Sequence, residues 1–312
     1  MTISLREFRF PQGMVTVITV ILLLTPFWDA SARIPQTKKR PRVVVRKPSA
    51  PTGSIDSVER AMNSICTQRG RDPQATVPID EMATQQVLPL THPQVIAARK
   101  RAESLLPVAK RLVPFALSHI AAMNDLKPLS LRWIITRVQA VKTIKTEVEE
   151  RDNSAWRSSE PDAIVFGTIF LAGLRSDEAI IAVLAHELTH AVNGTDQALQ
   201  PVFTHIGTKA ARIGSPVSVS AAAELTCELV GIEVLRDYVS QTSKSGPTAQ
   251  RLIRAFEKDC VRKDLADENH LSPRQTMRLL LKLEPDVSTA IVGVVKGNQS
   301  QKSKRAYSRR SK

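Results

Sequence analysis

The sequence predicts a mixed α+β body, mostly helical with a small sheet, flanked by disordered basic tails. Three observations carry this. Two mid-chain segments, residues 129–141 and 163–171, are rich in β-branched and aromatic residues, while the stretches on either side space their apolar residues as helices do. Of the 312 residues, 42% are apolar, enough to build a hydrophobic core. The net charge of +14 is segregated: residues 33–52 and 293–312 each hold seven bases and no acid, leaving 28 bases and 28 acids in residues 53–292. A neutral body offers no charged groove, and the two tails share one aromatic, Tyr307, so nucleic acid is not the expected partner.

Taken in order, residues 1–32 read as an export signal. Arg6 and Arg9 precede an apolar run over residues 14–24, and Ala30-Ser31-Ala32 supplies the small residues a signal peptidase needs, with cleavage expected after Ala32. The run would extend about 16 Å as a helix against a bilayer core of about 30 Å, which favours removal over the alternative, a retained N-terminal membrane anchor. No cysteine follows the run to take a bacterial lipid. Residues 33–53 are basic and proline-rich, a linker.

A helical region is expected over residues 54–126. It opens at Ser54 or Asp56 with Ile55, Val58, Met62 and Ile65 on one stripe, passes through a loop at 71–92, and resumes at 94–123, kinked or divided by Pro107 and Pro114. Residues 127–292 form the main body. There, 129–141 and 163–171 read as strands, polar residues 147–161 as an exposed loop, and 176–193, 200–212, 217–241, 248–263 and 272–283 as helices. Residues 293–312 form the second flexible tail. Cys66, Cys227 and Cys260 allow at most one disulfide, in any of three pairings, or remain buried thiols.

The chemistry is concentrated at residues 176–194, SDEAIIAVLAHELTHAVNG. Ser176 is placed to cap a helix, Asp177 and Glu178 suit its positive end, and 179–185 is apolar all round, as in a buried helix. His186 and His190, four residues apart, share a face, so their imidazoles converge as two nitrogen ligands of a zinc ion must. Glu187 then projects beside the metal position, where it can take a proton from water. Three ionisable groups ending an apolar helix are costly to bury unless a metal satisfies them.

Such a site needs a third protein ligand. Glu224, in the helix AAAELTCELVGIEVL, shares a face with Glu228, and Gly231 one turn on permits close helix packing. Asp196 follows the second histidine closely, although zinc sites that draw a ligand from there want Gly where this chain has Asn193. His205 is a single histidine on an expected helix. All three are candidates.

The pattern His186-Glu187-x-x-His190 followed by Glu224-x-x-x-Glu228-x-x-Gly231 resembles the gluzincin metallopeptidases, the family containing the prenyl-protein CAAX endopeptidase and bacterial envelope quality-control proteases. The resemblance covers about 70 residues, 163–235, including IVFGTIFLAGL, which is similar to the family's strand and turn before the active helix. It implies a zincin-like metallopeptidase body with Glu224 as third zinc ligand and Glu228 supporting the ligands from behind, where the family usually has Asp. A fainter similarity at HLSPRQTMR keeps the family's Pro-to-Arg spacing in Pro273 and Arg278, with His270 displaced by two residues. His270 would then donate to the oxyanion. The same residues also read simply as a helix start capped by Ser272.

The expectation is therefore an exported zinc endopeptidase, located in a bacterial periplasm or cell envelope, with one catalytic zinc ion held by His186, His190 and Glu224, and with Glu187 as general base. Protein or peptide substrates would lie extended along the strand at 163–171. The basic tails suit anionic membrane or cell-wall polymers. The rival is a zinc-containing envelope chaperone or assembly factor with little or no proteolytic activity.

Overall fold

The computed structural model describes residues 88–148, 154–242, 251–260 and 269–283, all within one unit, Gly53–Lys312. The expected signal, linker, first helix and C-terminal tail lie outside the described residues. What is described is mostly helical with a three-stranded mixed sheet, an α+β arrangement.

Helix α1 (Pro93–Met123) starts at the cap His92, whose Nδ1 accepts from Gln94 N, with Pro93 at the first turn. It runs unbroken through Pro107 and Pro114. Each proline removes one backbone hydrogen bond, but thirteen buried residues, among them Ala102, Leu106, Val113 and Leu117, hold the helix in the core. By length and composition α1 could cross a membrane; here it packs inside the protein.

Residues expected as the first strand form instead helix α2 (Leu131–Ala140), capped by Ser130 accepting from Trp133 N. Its buried residues, Ile134 and Val138, stand four apart, so burial follows the helical period and overrides the β-branched composition. Three strands follow: β1 (Thr143–Glu147), β2 (Ser154–Arg157) and β3 (Glu160–Gly167). Strand β3 is central, parallel to β1 with Ile144 opposite Ile164, and antiparallel to β2 with Ala155 opposite Val165. The second expected strand is therefore shorter at its end, because the chain turns at Gly167 into α3 (Thr168–Gly173). Strand β2 lies within the expected loop; its residues are all half-buried, which is why their polar composition hid them.

Helix α4 (Asp177–Asn193) crosses the core. Of its seventeen residues only Asp177, His186, His190 and Asn193 escape full burial. Helices α5 (Gln200–Arg212) and α6 (Val219–Gln241) follow, and α6 packs along α4 and α1. Gly231 makes the α4–α6 approach possible: a Cβ there would meet the Ala182 carbonyl oxygen at 2.9 Å.

The described part of the helix expected at 248–263 is wound largely as a 3₁₀ segment (Ile253–Cys260). It buries Glu257, Lys258 and Asp259 in succession, and three adjacent buried charged side chains do not fit one amphipathic stripe. Just before it, Arg251 donates to Glu178 Oε1 at 2.7 Å, to the carbonyls of Val239 and Thr242, and to Thr242 Oγ1, tying the segment to the start of α4 and the end of α6. Helix α7 (Pro273–Leu283) completes the body.

Candidate metal centre

Helix α4 enters the site from a well-fixed start. Ser176 Oγ accepts from Ala179 N at 3.0 Å and donates to Glu257 Oε2 at 2.9 Å. The helix ends at Gly194, whose backbone (φ +58°, ψ −167°) lies in a region that essentially only glycine visits. Between these ends the helical spacing places His186 and His190 together, their Nε2 atoms 3.1 Å apart.

Helix α6, capped by Ser218 accepting from Ala221 N, brings the acids. Glu224 straddles the two imidazoles, with Oε2 at 3.2 Å from His186 Nε2 and Oε1 at 3.3 Å from His190 Nε2. Four residues on, Glu228 Oε1 lies 3.3 Å from the other ring nitrogen, His186 Nδ1. That contact is electrostatic: its geometry falls short of a hydrogen bond, so Nδ1 is buried without a hydrogen-bond partner. Burial opposes charge on His186, but the Glu228 and Glu224 carboxylates override it and push its pKa up to about 10. Glu224 and Glu228 are held far below the usual carboxylate range. Burial opposes this in both cases; His186 and His190 outweigh it at Glu224, and Lys258 and His186 at Glu228.

Glu187 is buried beside the cleft. Its carboxylate accepts from Ser154 Oγ at 2.9 Å and from the backbone N–H of Trp156 at 2.8 Å. Strand β2 thus fixes the orientation of the candidate base.

Of the three candidates for a third ligand, only Glu224 stands against both histidines. Asp196 is ion-paired with Arg137, and His205 is on α5, away from the cleft lining. Cys227 introduces a competing set, because one atom each from His186, His190 and Cys227 lie within 4.8 Å of one another. Its sulfur, however, sits 3.8 Å from His190 Nδ1, behind the ring whose Nε2 faces His186. Burial and the carboxylates of Glu224, Glu187 and Glu228 push the thiol pKa well up in the metal-free protein. Atoms coordinated tetrahedrally at about 2.0–2.1 Å lie about 3.3–3.4 Å apart. In the set His186, His190 and Glu224 the two Nε2 atoms lie 3.1 Å apart and each meets its own Glu224 oxygen at 3.2 to 3.3 Å, close to that spacing pair by pair; the His186 Nδ1 facing the Glu228 carboxylate is the arrangement a nitrogen-bound ion stabilises.

His270 joins the cleft, with Nε2 3.7 Å from Glu224 Oε2 and its side chain 38% exposed. Ser272 does act as a helix cap, Oγ accepting from Gln275 N, so the two sequence readings of this segment are compatible. One expectation fails: β3 is paired on both sides and cannot offer an open edge to a substrate. Among the described residues, strand β2 is the edge beside the site.

Four contributors were not read from sequence. Cys227 falls three residues after Glu224 on the same face, and that spacing was signal enough. Ser154, Trp156 and Lys258 had no such signal, since each meets its partner across about thirty residues of chain. No protein-family model, curated protein or solved structure matches this chain.

Proposed function

We propose that this chain is an exported zinc-dependent endopeptidase of the gluzincin type. The observation that carries the reading is the convergence of one carboxylate on two imidazoles: Glu224 sets Oε2 3.2 Å from His186 Nε2 and Oε1 3.3 Å from His190 Nε2, while the two Nε2 atoms lie 3.1 Å apart. When bound, zinc supplies Lewis acidity, which acidifies water and polarises a peptide carbonyl.

The chain's own groups perform the remaining tasks. Glu187, held by Ser154 and Trp156, accepts a proton from the attacking water and returns it to the leaving amine. His270, partly exposed at the cleft, is placed to donate to the oxygen that gains charge as the carbonyl carbon becomes tetrahedral. The peptide lies extended beside β2, held by backbone hydrogen bonds that place little demand on its sequence.

Export is supported by the N-terminal signal pattern. The envelope of a bacterium is the location this reading favours, with the basic tails on anionic polymers.

The test is metal content per chain of the purified mature protein beside Glu224→Ala, together with peptide digestion with and without a chelator. One zinc per wild-type chain, a clear loss in Glu224→Ala and chelator-sensitive cleavage are expected. Absence of stoichiometric metal from carefully prepared wild type overturns the reading; stoichiometric zinc without any cleavage turns it toward the non-proteolytic assembly factor.

A further inference from the structure

Glu228 faces two nitrogen groups with a single oxygen. Its Oε1 is 3.3 Å from His186 Nδ1 and 2.5 Å from Lys258 Nζ. Lys258 arrives from the 3₁₀ segment with its side chain 8% exposed, and it also reaches Asp259 Oδ1 at 3.4 Å. An ammonium and a carboxylate are each expensive to bury alone and tolerable as a hydrogen-bonded pair. Lys258 lines the same cleft as His186, Glu187 and Glu224, so this pair belongs to the wall of the candidate site.

The geometry has a consequence for the histidine. A glutamate carries one more rotatable bond than an aspartate, so a carboxylate at 228 is freer to swing behind the His186 ring unless a second group anchors it. Lys258 is that anchor, and it grips the very oxygen that faces Nδ1. With Oε1 fixed, the ring keeps Nδ1 toward Glu228 and Nε2 toward His190 and Glu224.

Resting on the metal reading above, we propose that Lys258 is a positioning residue of the metal centre, clamping Glu228 Oε1 so that it orients His186 for coordination. In this role Lys258 acts on the histidine through Glu228.

The test uses the full mature chain with zinc and, as a spectroscopic probe, cobalt(II). Lys258→Met is expected to bind zinc about 10- to 100-fold more weakly, the range typical when the partner of a metal-bound histidine is disturbed. Its cobalt absorption bands should shift at unchanged stoichiometry, and Lys258→Arg should recover most of the affinity and the wild-type bands. Should Lys258→Met fail to fold because it strands a buried carboxylate, Glu228→Gln and the double variant Glu228→Gln/Lys258→Met carry the test, since the double variant removes both charges of the Glu228–Lys258 pair together. Both should then bind zinc equally weakly. Wild-type affinity and cobalt bands in Lys258→Met overturn the proposal, as does a further loss on adding Lys258→Met to Glu228→Gln. Failure of the wild type itself to bind either metal is a different result: it removes the metal reading, and this proposal with it.

Discussion

Gly231 on α6 sits directly against the backbone carbonyl of Ala182 on α4, so closely that a methyl group in place of its hydrogen would stand 2.9 Å from that oxygen. Ala182 lies one turn before His186, and Gly231 lies two turns after Glu224 on the same face. The contact therefore sets the separation of the two helices that carry the imidazoles and the carboxylate. The metal candidate depends on a glycine that no ligand touches.

Gly231→Ala tests this dependence. Alanine gains about 1 kcal/mol of helix propensity over glycine, but overpacking a tight interface costs about 1–3 kcal/mol. A lower urea midpoint is expected, together with weaker zinc binding, because the helices must part by a few tenths of an ångström or more. Equal stability and equal zinc affinity would show that the interface has slack.

Glu187→Gln keeps acceptor oxygen for one of its two hydrogen bonds and removes the base. Zinc content and thermal stability should stay near wild type while peptide cleavage falls by about 10²–10⁴-fold. Ser154→Ala removes one of the two bonds that orient Glu187 and leaves the Trp156 N–H in place. Its expected effect is milder, about 1 kcal/mol or several-fold in kcat, with zinc affinity unchanged. Parallel assays of peptide hydrolysis and metal content distinguish the two.

Arg251→Ala addresses stability away from the chemistry. Arg251 and Glu178 form an ion pair with side chains 5% and 4% exposed, and the guanidinium also satisfies the carbonyls of Val239 and Thr242. Removing it leaves the buried Glu178 carboxylate to the half-exposed Arg254, 3.6 Å away, so the expected cost is about 1–3 kcal/mol, below that of a fully uncompensated buried charge. Urea unfolding followed by circular dichroism should show it. Replacing both partners with apolar residues of similar volume should cost less than the single change.

The metal-free protein carries a signed pH dependence. His186 ordinarily titrates near 6.5 and is pushed up to about 10 in the fold. The folded state thus holds this proton more tightly than the unfolded chain. The stabilisation is fully present below pH 6.5 and is lost as pH rises toward 10. Zinc competes for the same nitrogen, so its affinity should rise across that window and its binding near pH 7.5 should release about one proton from His186. Calorimetry in buffers of different ionisation enthalpy measures the release; buffer-independent heats would mean that His186 is already neutral when the ion arrives.

The sequence by itself determined the features that lie within a few turns of one helix. Ser176 as cap, His186 and His190 on one face, Glu187 beside them, and Glu224, Glu228 and Gly231 in one row all follow from 3.6 residues per turn, which converts spacing into direction without reference to the rest of the chain. Composition misled where it competed with period: residues 131–140 have the residue types of a strand, yet Ile134 and Val138 bury themselves four apart as a helix. Only the tertiary structure decided that β2 would hold Glu187, that Cys227 would back His190, and that Lys258 would reach Glu228. Those contacts join residues about thirty or more positions apart. Closing such loops is governed by the packing of the whole core, which no local run of residues encodes.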